Sequence, residues 1–128
     1  MSALTNYLEH ALINAVLRSS AYTSPTKVYL GLHTESAGEA GTGAEVSGGS
    51  YARQEVAFDA PSNGSTTNSA DVLFPVATAA WGTISHFALW DASTAGNALL
   101  HGAFTQSKQI ESGDQFKVAQ GNMTITFD

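Results

Sequence analysis

Residues 81–90 carry large apolar side chains on both of the faces that an extended strand presents. Alternation places Phe87 and Leu89 on one face and Ile84 and Trp90 on the other. A half-exposed strand concentrates its apolar groups on a single face, whereas a strand covered on both sides does not. We therefore expect residues 81–90 to form a strand near the centre of a sheet.

A turn and a second apolar run follow this strand. Residues 91–97 are rich in Asp, Ser, Gly and Asn, which favour turns. Leu99 and Leu100 then begin an apolar run that extends to Phe104. The pattern predicts a hairpin of residues 81–90 and 99–104 at the centre of the fold.

Helical periodicity occurs in residues 3–18, with Ser2 as the expected N-cap. The main apolar stripe consists of Leu4, Leu8, Ala11, Leu12, Ala15 and Val16. Ile13 and Leu17 lie on the opposite side among polar residues. Two explanations stay open: the helix is held between the sheet and a loop of its own chain, or its second apolar strip docks on a neighbouring chain.

Short alternating segments with turn residues between them predict the remaining strands. These are residues 28–33, 51–58, 72–76, 108–110, 115–118 and 123–127. Two polar loops, 35–50 and 59–69, interrupt them, and the first is rich in glycine. Loops as long as 35–50 usually indicate function, an interface or disorder.

The pattern as a whole is typical of a mainly β protein. We predict an antiparallel, jelly-roll-like β-sandwich of about seven or eight strands with one N-terminal helix. A length of 128 residues suggests a single domain, 1–128, with the helix in 1–18 and the sandwich in 27–128.

The charge balance narrows the classes of partner. Only 12% of residues are charged, compared with about 25% in a typical soluble domain, and the net charge is −6. Five scattered Lys and Arg residues cannot neutralise several phosphates, which argues against nucleic acid binding. No apolar run is long enough to insert in a membrane, and no signal peptide is recognisable. We expect a protein that stays in the cytoplasm where it is made and has a surface suited to contacts with other subunits.

The residues that most often perform chemistry form no recognised motif. The four histidines lack metal-binding spacing, although strand pairing would bring His86 close to His101. Ser85 and His86 are neighbours whose side chains would point to opposite faces of a strand. The sequence therefore predicts no catalytic residue, no cofactor and no metal.

Two further features could carry a binding function. Gly41-Thr42-Gly43 lacks the Lys-Ser/Thr and the following helix of a phosphate-binding loop, so segment 35–50 is better interpreted as a mobile surface or interface loop. Five aromatic residues could stack on sugars: Tyr22, Tyr29, Tyr51, Trp81 and Trp90. Aromatic residues of a β domain more often pack in the core.

Several motifs are similar to those of a known family. The chain has Leu-Thr-Asn-Tyr-Leu at residues 4–8 and Tyr-Thr-Ser-Pro at residues 22–25. Others lie at residues 28–32, 38–43, 45–53, 74–75, 81–84 and 112–114. Together they resemble small bacteriophage virion proteins commonly labelled phage tail-fibre or minor structural proteins. The resemblance covers almost the whole chain and consists of turn and packing residues, so it implies a structural role without a catalytic signature.

These observations predict a non-enzymatic structural protein of a tailed phage particle, located in the virion. It would be a tail or fibre-associated subunit, or a capsid decoration (cement) protein. Its partners would be other tail, baseplate or capsid subunits and further copies of itself, as a homo-oligomer. The alternative is a carbohydrate-binding module that recognises a host surface glycan. The predicted partner interface comprises Leu4, Leu8, Ile13, Leu17, Gly41, Gly43, Val46 and Asn63.

Overall fold

The computed structural model describes residues 2–127, which form one helix and nine strands. The helix is α1 (Asn6–Leu17). The strands are β1 (Ser2–Leu4), β2 (Val28–His33), β3 (Gln54–Val56), β4 (Ser65–Thr67), β5 (Val72–Leu73), β6 (Gly82–Trp90), β7 (Ala98–Ile110), β8 (Lys117–Val118) and β9 (Thr124–Thr126). The predicted mainly β, sandwich-like fold with one N-terminal helix is confirmed.

Strand β6 is the middle strand of the largest sheet. This five-stranded antiparallel sheet has the order β1-β7-β6-β2-β3, while β4 pairs with β9 and β5 pairs with β8. The predicted hairpin is present as β6 and β7. In its turn, the Asp91 carboxylate accepts hydrogen bonds from the backbone and side-chain N–H groups of Asn97, at 2.7 and 3.1 Å.

Both faces of β6 are covered, as the sequence predicts. On one face, Phe87 and Leu89 belong to the main core. Core residues outside the large sheet include Phe74, Phe116, Val118, Met123 and Ile125. On the other face, Ala88 and Trp90 form a smaller buried cluster with Ala37 and Ala98.

Ile84 departs from the predicted alternation, because it joins the main core instead of the face that carries Trp90. The register between β6 and β7 shifts between Ile84 and His86. Such an irregularity changes the face to which the following residues point, so alternation does not hold across it.

The helix begins later than predicted, at Asn6, because residues 2–4 pair with β7 as a strand. Thr5, not Ser2, is the N-cap: its hydroxyl oxygen accepts a 3.4 Å hydrogen bond from the Leu8 N–H. The same hydroxyl lies 2.6 Å from the Ala98 carbonyl oxygen, to which it donates. Pairing with a distant strand therefore outweighs the helical pattern of the first residues.

Other boundaries also differ from the prediction. Residues 108–110 are the end of β7, not a separate strand, and the predicted loop 59–69 contains β4. Strands β3 and β5 are shorter than the predicted segments 51–58 and 72–76. The alternation of the closing segment holds for Met123 and Ile125, which are buried, but Phe127 is half-exposed.

Candidate functional site

The helix presents an apolar face outward. Leu8 is buried and Leu12 packs partly against the core, so the inward stripe holds α1 on its own sheet. Leu4 also packs partly against the core, but it belongs to β1 and not to the helix. Ile13, Val16 and Leu17 are 51, 74 and 76% exposed, respectively. The sequence pattern assigns Val16 to the inward stripe, but it lies with Ile13 and Leu17 because the helix turns about 100° per residue. We call these three residues the helix patch.

The Gly-rich segment 35–50 lies on the sheet and is not a loose surface loop. The Glu39 carbonyl of this segment accepts a 3.1 Å hydrogen bond from the Asn6 N–H. Gly41 and Val46 are buried, and the Gly43 carbonyl accepts a hydrogen bond from Nδ1 of His33. These residues of the predicted interface therefore contact their own chain.

Gly41 shows why this loop needs glycine. It has a φ of +71°, and a Cβ atom at this position would lie 2.5 Å from the Cβ of Ala98. A side chain at Gly43 would overlap the Ser36 carbonyl oxygen. Gly41 thus allows the loop to approach the sheet closely, and Gly43 allows the loop to fold tightly on itself.

Glu45, Tyr51 and Arg53 form the main polar network of the described residues. Arg53 donates from Nε and Nη2 to the two carboxylate oxygens of Glu45, both at 2.8 Å. Tyr51 donates to Glu45 at 2.6 Å and accepts from the Leu32 N–H at 2.9 Å. Arg53 also donates to the Ala92 and Ala95 carbonyls, at 3.0 and 2.8 Å. The network therefore ties the Gly-rich loop to the turn of the central hairpin.

Aromatic side chains complete this network. The Arg53 guanidinium lies 3.7 Å from the ring centroid of Trp90, in cation–π geometry. The His33 and Trp90 rings are nearly parallel, with their centroids 6.3 Å apart. We refer to His33, Glu45, Tyr51, Arg53 and Trp90 as the Arg53 cluster.

Protonation within the cluster follows from burial and charge. Burial raises the pKa of Glu45, but the hydrogen bonds from Arg53 and Tyr51 outweigh this effect, and the pKa is lowered. Burial and the Glu45 carboxylate raise the pKa of Tyr51, so the phenol remains a donor. Burial lowers the pKa of His33. Because the Gly43 carbonyl can only accept, the hydrogen of neutral His33 is on Nδ1.

The sequence pattern did not reveal this cluster. Arg53 belongs to the predicted strand segment 51–58, but nothing in that pattern indicates that its side chain is only 8% exposed. One sequence feature could have indicated that Tyr51 and Arg53 act together. They are two residues apart, which puts both side chains on one side of an extended chain. Their partner Glu45 belongs to a loop, and its position depends on the tertiary fold.

Three histidines lie on the face that the loop covers. His33 is directly opposite His86 in the β2–β6 pair, and His101 is opposite Ala88 in the β6–β7 pair. His86 and His101 therefore share a face, as expected, while the approach of His33 was not foreseen. His101 Nε2 lies 3.7 Å from a Glu39 carboxylate oxygen. Within residues 2–127, no three His, Asp or Glu side chains are grouped to hold a metal ion.

The prediction that the side chains of Ser85 and His86 point to opposite faces is wrong, because they contact each other. The Ser85 hydroxyl oxygen is 2.7 Å from His86 Nδ1, next to the register shift of β6. The same hydroxyl lies 3.0 Å from the Thr34 carbonyl, which can only accept its hydrogen. Since the Ser85 hydrogen is used in the bond to Thr34, His86 Nδ1 must be the donor in the bond to Ser85. This polarity is opposite to that of a histidine base that activates a serine.

The remaining candidates are also placed by the fold. Trp81 and Trp90 are 5 and 7% exposed, so neither offers a free ring for sugar stacking. Asn63 is exposed in a tight turn, where Ser62 and Ser65 exchange backbone hydrogen bonds of 2.8 and 3.0 Å. The φ of Asn63, +53°, and that of Gly64, +76°, fit a turn of the Asn-Gly type.

A comparison with protein families decides the class. The family model described as "Podophage GP4 fiber I protein gp80" matches residues 3–126. The chain belongs to this phage fibre family. The recognition of a phage tail-fibre or structural protein from sequence motifs is thereby confirmed.

Membership of the phage fibre family indicates a place in the virion and contact with other virion proteins. A search of curated proteins finds no match to the chain. Among the described residues, no helix has the length and apolar character required to cross a membrane. The helix patch, the Arg53 cluster and the turn at Asn63 are therefore features of a phage fibre protein.

Proposed function

We propose that this phage fibre protein is a non-enzymatic subunit of the tail fibre that acts through protein–protein contacts. The family match over residues 3–126 carries the proposal. The description of that family names a fibre, which favours the tail over capsid decoration. The Arg53 cluster supports a structural role, since its charged atoms are engaged with one another and hold a loop in place.

The helix patch is the surface best suited to dock on another virion subunit. Ile13, Val16 and Leu17 recur at i, i+3 and i+4, which makes one continuous apolar strip on α1. Contiguous exposed apolar groups on a soluble domain commonly mark an interaction site. The inward stripe already fixes α1 to its own sheet, so the outward strip is free to contact a partner.

The test is incorporation of variants into phage particles. We expect Val16→Asn combined with Leu17→Gln to reduce the amount of this protein in purified virions about tenfold or more, because apolar contact area is lost. Quantitative mass spectrometry of purified particles measures the amount relative to the major capsid protein.

His10→Gln provides the matched control, since His10 is an exposed polar residue of the same helix. This variant should be incorporated at the wild-type level, and circular dichroism should show equal folding of all three proteins. Wild-type incorporation of the double variant would exclude the helix patch as the docking surface.

A further inference from the structure

A groove of about 740 Å³ lies between the outer half of β7 and residues 116–124. It is separate from the helix patch and from the Arg53 cluster. Its lining consists of Phe87, Ala103, Phe104, Thr105, Gln106, Ser107, Lys108, Phe116, Lys117, Val118, Ala119, Asn122, Met123 and Thr124. The volume is within the range of ligand-binding sites.

An irregularity of the central hairpin produces one wall of the groove. Ile84 is paired with Lys108 and His86 with Ala103, so two steps along β6 correspond to five along β7. Residues 104–107 therefore have no partner residue in β6. Bulges of this kind redirect side chains and interrupt strand pairing next to binding sites.

Aromatic rings line the apolar part of the groove. Phe104, which the bulge displaces, is partly exposed and lies between two other rings. Its centroid is 5.2 Å from that of Phe87 and 5.5 Å from that of Phe116. These contacts hold the Phe104 ring in place, so an apolar surface is preformed inside a mainly polar groove.

The lining is also positive, in contrast to the rest of the chain. Two of the five Lys and Arg residues, Lys108 and Lys117, line the groove, while no Asp or Glu residue within 2–127 does. Lys117 is paired with Asp71 at 3.4 Å. Lys108 forms no ion pair within residues 2–127. An anionic ligand would therefore meet at least one cation without a counterion in the groove.

We propose that this groove binds an anionic oligosaccharide. The hydroxyl and amide groups of Thr105, Gln106, Ser107 and Asn122 can both donate and accept, as sugar hydroxyls require. The Phe104 ring can pack against the C–H face of a sugar, and Lys108 can bind a carboxylate or phosphate on it. This inference does not depend on where the subunit is located in the particle.

A peptide strand fits the groove less well. Strand addition requires a regular edge with free backbone groups, whereas the bulge bends residues 104–107 out of the ladder. A lysine on the exposed part of β7 is also typical of edges that resist strand pairing. An acidic peptide is accordingly the competing ligand that the experiment must separate from a sugar.

The experiment titrates the full chain with oligogalacturonate, its methyl ester and an oligoglutamate peptide of equal charge. Binding is followed by amide chemical shifts in NMR spectra and by calorimetry. Oligogalacturonate should bind saturably and shift the amides of residues 103–108 and 116–124, while the neutral methyl ester should bind about tenfold more weakly.

Variants locate the site. Lys108→Gln should weaken the binding of oligogalacturonate about tenfold, because it removes the free cation of the groove. Lys27→Gln changes the net charge equally, but Lys27 lies outside the groove and pairs with Glu55, so its affinity should stay at the wild-type value. The proposal is overturned if oligogalacturonate does not bind, if Lys27→Gln weakens binding as much as Lys108→Gln does, or if oligoglutamate binds as tightly as the sugar.

Discussion

Arg53 connects three segments that are distant in the sequence. Its guanidinium binds Glu45 in the Gly-rich loop, two carbonyls of the central turn and the face of Trp90. The side chain is nearly buried, so solvent screens these interactions only weakly. Removing one member of a buried, hydrogen-bonded ion pair leaves the other charge without compensation.

Arg53→Ala should therefore lower the free energy of unfolding by about 3 kcal/mol. Urea denaturation followed by tryptophan fluorescence measures the change, and Trp90 itself reports on the cluster. Lys27→Ala is the control, because the Lys27–Glu55 pair is exposed and should contribute less than about 1 kcal/mol. Equal effects of the two substitutions would show that the Arg53 cluster is not a principal support of the fold.

His33 gives stability a specific pH dependence. Its pKa is lowered in the folded chain from the ordinary value of 6.5, chiefly because burial disfavours the charged ring. The charged or titratable groups near it are Glu45, Arg53 and His86. The unfolded chain takes up a proton near pH 6.5 that the folded chain does not. Stability must then fall as the pH decreases below 6.5, until the folded pKa is reached.

We expect the unfolding temperature to decrease between pH 7 and pH 5, and His33→Asn to reduce this slope. The asparagine amide can still donate to the Gly43 carbonyl, but it does not titrate. The lowered pKa of Glu45 affects stability in a separate pH range, since its stabilising contribution is lost only below pH 4.5, the ordinary pKa of the group. An unchanged slope in His33→Asn, measured by calorimetry, would contradict the assignment to His33.

At the scale of elements, the Gly-rich loop covers one face of the sheet because its glycines permit close approach. Gly41→Ala would place a methyl group 2.5 Å from the Ala98 Cβ, and it should lower the free energy of unfolding by about 2–3 kcal/mol. Gly38 is the matched control: its φ is +75°, but a methyl group at this position would have no neighbouring atom within 4 Å. Gly38→Ala should cost only the backbone strain, about 1 kcal/mol. Thermal and urea unfolding of both variants provide the comparison, and equal losses would argue against close packing at Gly41.

Local patterns were sufficient to predict some elements. The two-sided apolar pattern of residues 81–90 identified the central strand, and the turn residues 91–97 identified its hairpin. Both signals depend on neighbouring residues alone. The exposed position of Ile13 and Leu17 likewise followed from helical spacing.

Elements that depend on a distant partner were not predicted. Strand β1 exists because residues 2–4 pair with β7, and β4 exists because it pairs with β9. The register shift near His86 also arises between strands, and it brings Ser85 and His86 together. The Arg53 cluster joins residues of the Gly-rich loop, of the segment that precedes β3 and of the central turn. Because these segments are distant in the sequence, no local pattern reveals the cluster. The groove has the same origin, since segments 103–108 and 116–124 meet only in the folded chain.

At the scale of the whole molecule, a low fraction of charged residues and a mainly β fold suit a subunit that stays in permanent contact with other proteins. Only 12% of the residues are charged, which reduces the desolvation cost when copies or partners pack together. The helix patch supplies apolar contact, and the groove lies elsewhere on the surface. Under the two proposals, the chain is anchored in the particle through the helix patch and binds a ligand through the groove.

The most direct test of the tail-fibre assignment is the position of the protein in the intact virion. Purified particles labelled with gold-conjugated antibodies against this chain, viewed by electron microscopy, should carry gold at the tail fibres. Label distributed over the capsid surface, or particles that contain none of the protein, would contradict the assignment to the tail fibre.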